Sequence, residues 1–352
     1  MKMLYEVDEP TQTPSVDESC LSTILLREYG ITKGTIVKLT GYEDNNFRVS
    51  DIKYENGVEE GPSEMIIKIT NPIEARQPEA LDVQYRACSA LNAVGIGAPA
   101  PVLTKSGKEW TMQNVANGVY LPVRAYKIMP GVDLESVPLT VDLLRDIGSM
   151  LARLHGTLAN LENPPAHIPF ISPENHACVR REVYILIEKN LLDDERKTLL
   201  LKTFADLDEQ IFAKRAEFEQ GLIHSDFNET NIRLSEEGKL RGILDFGDMH
   251  VSMYIFDLAA AALYIRMMER EGFGVDKIIR ELVAGYRKER PFSAPHGAYI
   301  TAMRARLACS LAYGLRTARL NVRGGSVDYI LKTQSNGWKM LQELSDMEEP
   351  NY

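Results

Sequence analysis

The residues best suited to chemistry lie in one short stretch, Ile223-His224-Ser225-Asp226-Phe227-Asn228-Glu229-Thr230-Asn231, followed fourteen residues later by Asp245-Phe246-Gly247. A carboxylate, an amide five residues on and a second carboxylate downstream suit the movement of a phosphoryl group from a nucleotide. That reaction asks little covalent chemistry of the protein. One carboxylate orients an acceptor hydroxyl and takes its proton, while oxygen ligands hold Mg²⁺ against the phosphates. Asp226 fits the first task, and Asn231 and Asp245 fit the second. The same residues could simply make a capped surface turn, so a cation for the donor phosphates should appear elsewhere. Ile66-Ile67-Lys68-Ile69 offers one, a lysine between β-branched residues in a strand-like run. Its ion-pair partner is expected from the following helix, where Glu79 and Asp82 are the acidic choices. A lysine in that setting is also the ordinary solvent-facing residue of a half-buried strand.

These groups need a scaffold. Residues 17–29 have helical spacing and stop at Gly30, and β-like runs follow at 35–40, 47–54 and 65–70. A helix is expected over 79–94, with strand-like runs at 101–104 and 120–128. Between the first two strands, Gly41 to Phe47 could bring backbone, with Gly41 and Asn46, close to phosphates, or could simply turn a hairpin. Met129-Pro130-Gly131 is a chain-turning signal. Beyond it run long helical periods at 139–158, 178–190, 193–219, 254–270, 275–289, 297–322 and 326–346, interrupted by β runs at 231–234 and 240–244. The expectation is an α+β chain: a small antiparallel nucleotide-binding lobe over 1–128, a hinge at 129–133, and a larger mainly helical lobe over 134–352 carrying the catalytic loop and acceptor site.

Composition narrows the alternatives. The chain has 352 residues, 44% hydrophobic and 26% charged, which rules out disorder or a coiled coil for the whole. The net charge of −10 argues against sequence-independent nucleic-acid binding. Cys20, Cys88, Cys178 and Cys309 form no C-x-x-C pair, so buried thiols are expected rather than zinc ligands or disulfides. Residues 1–10 are acidic with no apolar run, and the uncharged stretch 87–104 is broken by Gly95, Gly97, Pro99 and Pro101. A signal peptide and a membrane span are therefore not expected, and a cytoplasmic protein is.

The His224, Asp226, Asn231 and Asp245-Phe246-Gly247 pattern resembles the aminoglycoside phosphotransferase/choline kinase superfamily. The similarity is strongest to the hydroxylysine kinases, through Tyr42-Glu43-Asp44-Asn45-Asn46-Phe47, Gly242 to Met249 and Asn336-Gly337-Trp338-Lys339. That resemblance implies a protein-kinase-like two-lobed fold, catalytic Asp226, magnesium ligands Asn231 and Asp245, and Lys68 on the nucleotide phosphates. It implies 5-hydroxylysine as acceptor and GTP as donor, with ATP the other choice. Choline, ethanolamine, homoserine or aminoglycoside acceptors stay open, as does a pseudokinase module that binds without turnover. The chain departs from the pattern at Ser225, where the superfamily usually has glycine, and near Asp82 and Gln84, where a glutamate is common.

A cationic acceptor needs carboxylates near the transferred hydroxyl, and Asp248 and Glu229 stand where they could supply them. The ordinary alternatives are a helix cap at Asp248 and a solvent-facing Glu229. A substrate carboxylate would need a cation: Arg124, before the hinge, or Arg304, Arg306, Arg316 and Arg319, most of which read as solvated charges. His155 reads as a helix-end residue facing the core, and Asp257 as a helix N-terminal charge or an internal brace.

Overall fold

A computed structural model describes residues 8–10, 13–39, 43–56, 61–116, 118–165, 168–320 and 327–348. The chain divides into two compact units, one of residues 11–89 and 97–130 and one of residues 1–10, 90–96 and 131–352.

The smaller unit opens with α1 (Glu18–Tyr29). Asp17 caps it by accepting from the Cys20 N–H at 2.7 Å, and Gly30 ends it in the left-handed region. There follow β1 (Ile31–Leu39), β2 (Asn45–Tyr54), β3 (Met65–Ile69), α2 (Glu79–Ala93), β4 (Trp110–Ala116) and β5 (Val119–Lys127). The five strands form one antiparallel sheet in the order β1-β2-β3-β5-β4. In β3 the period of two buries Met65, Ile67 and Ile69 in the same core cluster as Leu21, Ile24 and Leu25 of α1, which turns Lys68 to the other face. The strand expected at 101–104 is reduced to a single bridge, Pro101 to Tyr126, and the edge strand is β4 instead. Pro99 and Pro101 lack the N–H a ladder needs, while the polar residues of β4 (Thr111, Gln113, Asn114) hide its alternation.

The larger unit contains β6 (Val132–Asp133), α3 (Val141–Leu158), α4 (His176–Glu188), α5 (Asp194–Gln210), β7 (Gln220–Ile223), β8 (Ile232–Leu234), β9 (Leu240–Ile243), β10 (His250–Met253), α6 (Ile255–Met267), α7 (Val275–Glu289), α8 (Ala298–Arg319), α9 (Val327–Thr333) and α10 (Ser335–Asp346). Two small sheets, β7–β10 and β6–β8–β9, are set among the helices. Helices α3 and α7 touch backbone to backbone. A Cβ on Gly148 would lie 2.0 Å from the Leu282 carbonyl oxygen, and one on Gly285 would lie 1.9 Å from that of Arg145.

The units part after Pro130, but the smaller one is not the contiguous block 1–128. The end of α2 belongs with the larger unit, where Arg153 of α3 donates to the Val94 carbonyl at 2.6 Å. Asp8 and Glu9 belong there too, bonded by Arg319 and Arg316 of α8. Helical periodicity also runs past two breaks: the period at 193–219 stops at Gln210, before a short 3₁₀ segment (Phe212–Glu217), and 326–346 is two helices. All four cysteines are free thiols, with Cys20 only partly buried. Among the described residues no helix is long and apolar enough to cross a membrane.

Candidate active site

The chemistry-bearing loop, residues 224–231, leaves β7 and enters β8. Its backbone is clamped from below by Asp257 in the first turn of α6, a wholly buried carboxylate. Asp257 Oδ2 accepts from the His224 N–H at 2.8 Å and from His155 Nε2 at 3.0 Å, and its Oδ1 accepts from the Ser225 N–H at 2.7 Å. His155 is held in turn by the Tyr286 hydroxyl, 2.8 Å from Nδ1. Burial pushes the Asp257 carboxyl up, yet the hydrogen bonds from His155 and the His224 amide, with the electrostatic pull of the two imidazoles, outweigh it and hold it below the ordinary range. Burial pushes His155 down in spite of Asp257, which suits a neutral ring donating from Nε2 and accepting at Nδ1.

Ser225 has φ 72°, in the left-handed region. Serine therefore keeps the turn that glycine would favour, at some cost in strain. His224 Nε2 donates to the Leu244 carbonyl at 2.9 Å and its Nδ1 accepts from the Asp226 N–H at 3.3 Å. Both ring nitrogens thus serve the backbone, and the imidazole ties this loop to the segment before Asp245, with Phe246 packed edge-on to it at 4.9 Å.

Asp226 presents a carboxylate with three donors. Oδ2 accepts from Asn228 Nδ2 and Asn231 Nδ2, each at 3.0 Å, and Oδ1 accepts from Arg306 Nη2 of α8 at 2.8 Å. The Asn231 amide nitrogen is doubly committed, also donating to the Asp226 carbonyl at 2.9 Å, which leaves its Oδ1 as the side chain's acceptor. The β8–β9 hairpin brings Asn231 beside Asp245: Ile232 pairs with Ile243, and the Leu244 N–H donates to the Asn231 carbonyl at 2.8 Å. Asp245 is exposed, with φ 57°. An amide oxygen and a carboxylate are hard donors of the kind a divalent cation takes together with substrate phosphates. Among the described residues no group of three or more His, Cys, Asp or Glu forms a metal cage.

Glu229 is half-buried, and its Oε2 is buried with no hydrogen-bond partner among the described residues. Burial, with the charges of Glu135, Asp226 and Asp133, pushes its carboxyl up. Asp248 caps no helix, since β10 follows it, and its charge bears on Arg306.

In the smaller unit Lys68 lies opposite Asn46 on β2 and Arg124 on β5, so the three share one face of the sheet. The carboxylate the structure gives Lys68 is Asp44, at 3.2 Å, not one from α2; Asp82 accepts from Trp110 Nε1 at 2.8 Å. Asp44 is fixed by Asn71, whose N–H and Nδ2 donate to its Oδ1 at 2.8 and 3.0 Å. Arg124, 1% exposed, donates to Gln84 at 2.7 Å and lies 3.6 Å from Asp44, so it is engaged beside Lys68 rather than open to an acceptor carboxylate. Gly41 lies outside the described residues.

The arginines of α8 are not solvated charges. Arg304 meets Asp206 at 2.8 Å, Arg306 meets Asp226, Arg316 donates to the Glu9 carbonyl, and Arg319 takes Glu182 in a two-pronged pair at 2.7 and 2.8 Å. Two features around the loop were not singled out from sequence, Asn228 and Arg306 as a partner of Asp226, whereas Asp257 takes the internal-brace role. The signal available for Asp257 was a charge inside an otherwise apolar helix, which demands partners.

Residues 39–292 match the phosphotransferase enzyme family. The hydroxylysine kinase of Xenopus laevis is 28% identical over 358 residues, covering 95% of this chain and 91% of that kinase. That of Bos taurus is 27% identical over 350 residues, covering 95% and 90%. Among solved structures, the microcompartment-associated aminopropanol kinase superposes with a TM-score of 0.70 at 18% identity, covering 94% of this chain and 97% of its own. Amicoumacin kinase hAmiN, solved with AMP-PNP, Ca²⁺ and Ami, gives 0.67 at 16% identity, covering 93% of each. These structures share the fold, an antiparallel-sheet lobe with a helical one. The chain belongs to the phosphotransferase enzyme family and is a phosphotransferase with a hydroxyl group as acceptor.

Proposed function

We propose that the protein is a Mg²⁺-dependent small-molecule kinase that moves the γ-phosphate of GTP or ATP to an amino-acid or amino-alcohol hydroxyl, with 5-hydroxy-L-lysine the favoured acceptor and 5-phosphohydroxylysine the product. The observation that carries this reading is the Asp226 carboxylate, held by Asn228, Asn231 and Arg306. The acceptor hydroxyl donates to Asp226 as its oxygen forms a bond to the γ-phosphorus and the bond from that phosphorus to the β–γ bridging oxygen breaks. The nucleoside diphosphate leaves, and Asp226 takes the hydroxyl proton and returns it to solvent. Asn231 and Asp245 would hold the cation, which when bound neutralises charge on the donor phosphates. Lys68 would neutralise charge on those phosphates, and Asn46, on the same sheet face, and Gly41 belong to the same role. Glu229, with its unpartnered buried oxygen, and Asp248 meet the ammonium groups of the acceptor.

The names of the curated relatives support hydroxylysine and the carboxylates around Asp226 support a cationic acceptor. The test is nucleotide turnover by the purified protein with Mg²⁺, ATP and GTP each offered with 5-hydroxylysine, choline, ethanolamine, homoserine and kanamycin. Diphosphate release that depends on hydroxylysine and falls about 10²–10⁴-fold in Asp226→Asn, with nucleotide binding kept, is the expected result. Turnover with another acceptor would replace hydroxylysine, and silence with all of them would overturn the kinase reading.

A further inference from the structure

An ionised carboxylate offers about four lone-pair positions to donors. At Asp226 three are taken: two on Oδ2, by Asn228 and Asn231, and one on Oδ1, by Arg306. The remaining position is on Oδ1, the oxygen that Arg306 holds. A hydroxyl donating to Asp226 must therefore do so beside the Arg306 guanidinium. That guanidinium is itself fixed: Nη1 donates to the Ile171 carbonyl at 3.0 Å and its carbon lies 5.5 Å from the Tyr264 ring centroid. The pair is lopsided, with the Arg306 side chain 3% exposed and that of Asp226 24% exposed. A cation buried to this degree that ends on a partly open carboxylate is a poor device for stability, since burying its charge consumes most of what the pair returns. It is a good device for holding a carboxylate in one rotamer.

We propose that Arg306 is the positioning residue of the transfer: from α8 it locks the Asp226 carboxylate so that one lone pair of Oδ1 faces the acceptor hydroxyl. The proposal rests on the kinase reading above, with Asp226 as the group that receives the hydroxyl. Asn228 and Asn231 come from the same loop as Asp226 and move with it. Arg306 is anchored 80 residues away and fixes the carboxylate relative to the helical body. Its role is geometric, so its loss lowers the chemical step and leaves nucleotide affinity alone.

The experiment compares the unsubstituted protein with Arg306→Met, Arg306→Lys and Arg306→Ala, measuring kcat, KM for nucleotide and acceptor, and thermal midpoint across the acceptor panel. Arg306→Met is expected to lose about 10²-fold in kcat, the scale set by an ångström of misplacement, with KM for nucleotide unchanged. Arg306→Lys keeps the charge but cannot span both Asp226 and the Ile171 carbonyl, so its kcat falls between the two while its midpoint stays. Guanidinium ion at low concentration restores kcat in Arg306→Ala along a saturating curve. An Arg306→Met protein with unchanged kcat overturns the proposal, as does a loss that follows the thermal midpoint and is recovered by neither lysine nor guanidinium. If the methionine variant does not fold, the lysine variant decides, and an unchanged kcat in it refutes the positioning role. An unsubstituted protein silent with every acceptor overturns the kinase reading and this proposal together, whereas an active one beside an equally active Arg306→Met overturns the proposal alone.

Discussion

Replacing Asp257 by Asn removes one charge and one acceptor oxygen from a site where each oxygen is used. Oδ1 serves the Ser225 N–H, and Oδ2 serves the His224 N–H and His155. If the amide nitrogen takes the Oδ1 position, it faces the Ser225 N–H. If it takes the Oδ2 position, His155 can adapt by changing tautomer, but the His224 N–H then faces an NH₂ group. Either way one buried backbone donor is orphaned, and the other contacts lose their charge assistance. Loss of a charge-assisted bond with an unsatisfied buried N–H costs about 2–4 kcal/mol. All of it falls on the loop that carries Asp226, so the His224 and Ser225 amides should exchange with solvent about 10²-fold faster at the middle of that range. The assay is hydrogen exchange by mass spectrometry on peptides spanning 221–231, read beside kcat and thermal midpoint. Turnover should fall by about 10²-fold as Asp226 loses its fixed position, while peptides from the smaller unit keep their protection. Unchanged protection over 221–231 in Asp257→Asn would refute the clamp, whatever the variant did to turnover.

Other substitutions test separate parts of the architecture. Ser225→Gly should leave kcat intact and change stability by no more than about 1 kcal/mol, whereas Ser225→Val, forced into φ 72°, should lower the thermal midpoint. Gly285→Ala drives a methyl into the Arg145 carbonyl and should separate α3 from α7, costing about 3 kcal/mol or more in a urea titration; a wild-type midpoint would show that the helices have slack. Lys68→Met should raise KM for nucleotide and lower kcat; unchanged kinetics would remove it from the donor site. His155 and His250 are buried with their pKa values pushed down by burial. The unfolded chain therefore binds protons that the folded chain refuses, and their contribution is full above about pH 6.5 and falls as pH drops below it, by up to about 1.4 kcal/mol per pH unit for each. A thermal midpoint that is flat from pH 7.5 to 5.5 would contradict this.

Much of the fold was legible because the signals were local. The Asp17 cap and the Gly30 stop bracket α1, and period-two burial marks β3, each within a dozen residues. What was not legible was decided by pairing partners far along the chain. β4 is a strand because β5 offers it an edge, although the polar Thr111, Gln113 and Asn114 interrupt its apolar residues. Strands β7 and β10 have four residues each and exist only by pairing with one another, Ile223 against His250. The end of α2 sides with the larger unit, where Arg153 bonds the Val94 carbonyl, and no periodicity announces it.

The same division runs through the site. Asp226, Asn231 and Asp245 could be read together because a loop and a hairpin bring them together over twenty residues, and spacing then stands in for geometry. Lys68 could be read, but its partner could not: the expectation looked along the next helix, whereas the sheet places Asp44 against it through Asn71. Arg306 and Asp257 are further still, 80 and 32 residues from the groups they hold. Their sequence signal was of another kind. α6 is apolar on nearly every side and α8 is buried along nearly all of its length, so neither has a solvated face on which a charge could rest. A charge there must find a partner inside, because an unpaired ion in the interior is far costlier than any loss of local helix preference. Read with that constraint, each arginine of α8 and the aspartate of α6 demands a buried counterpart of opposite charge or a ring of donors. For Arg306 and Asp257 the 224–231 loop answers, through the Asp226 carboxylate and the His224 and Ser225 N–H groups, whereas Arg304 and Arg319 take Asp206 and Glu182.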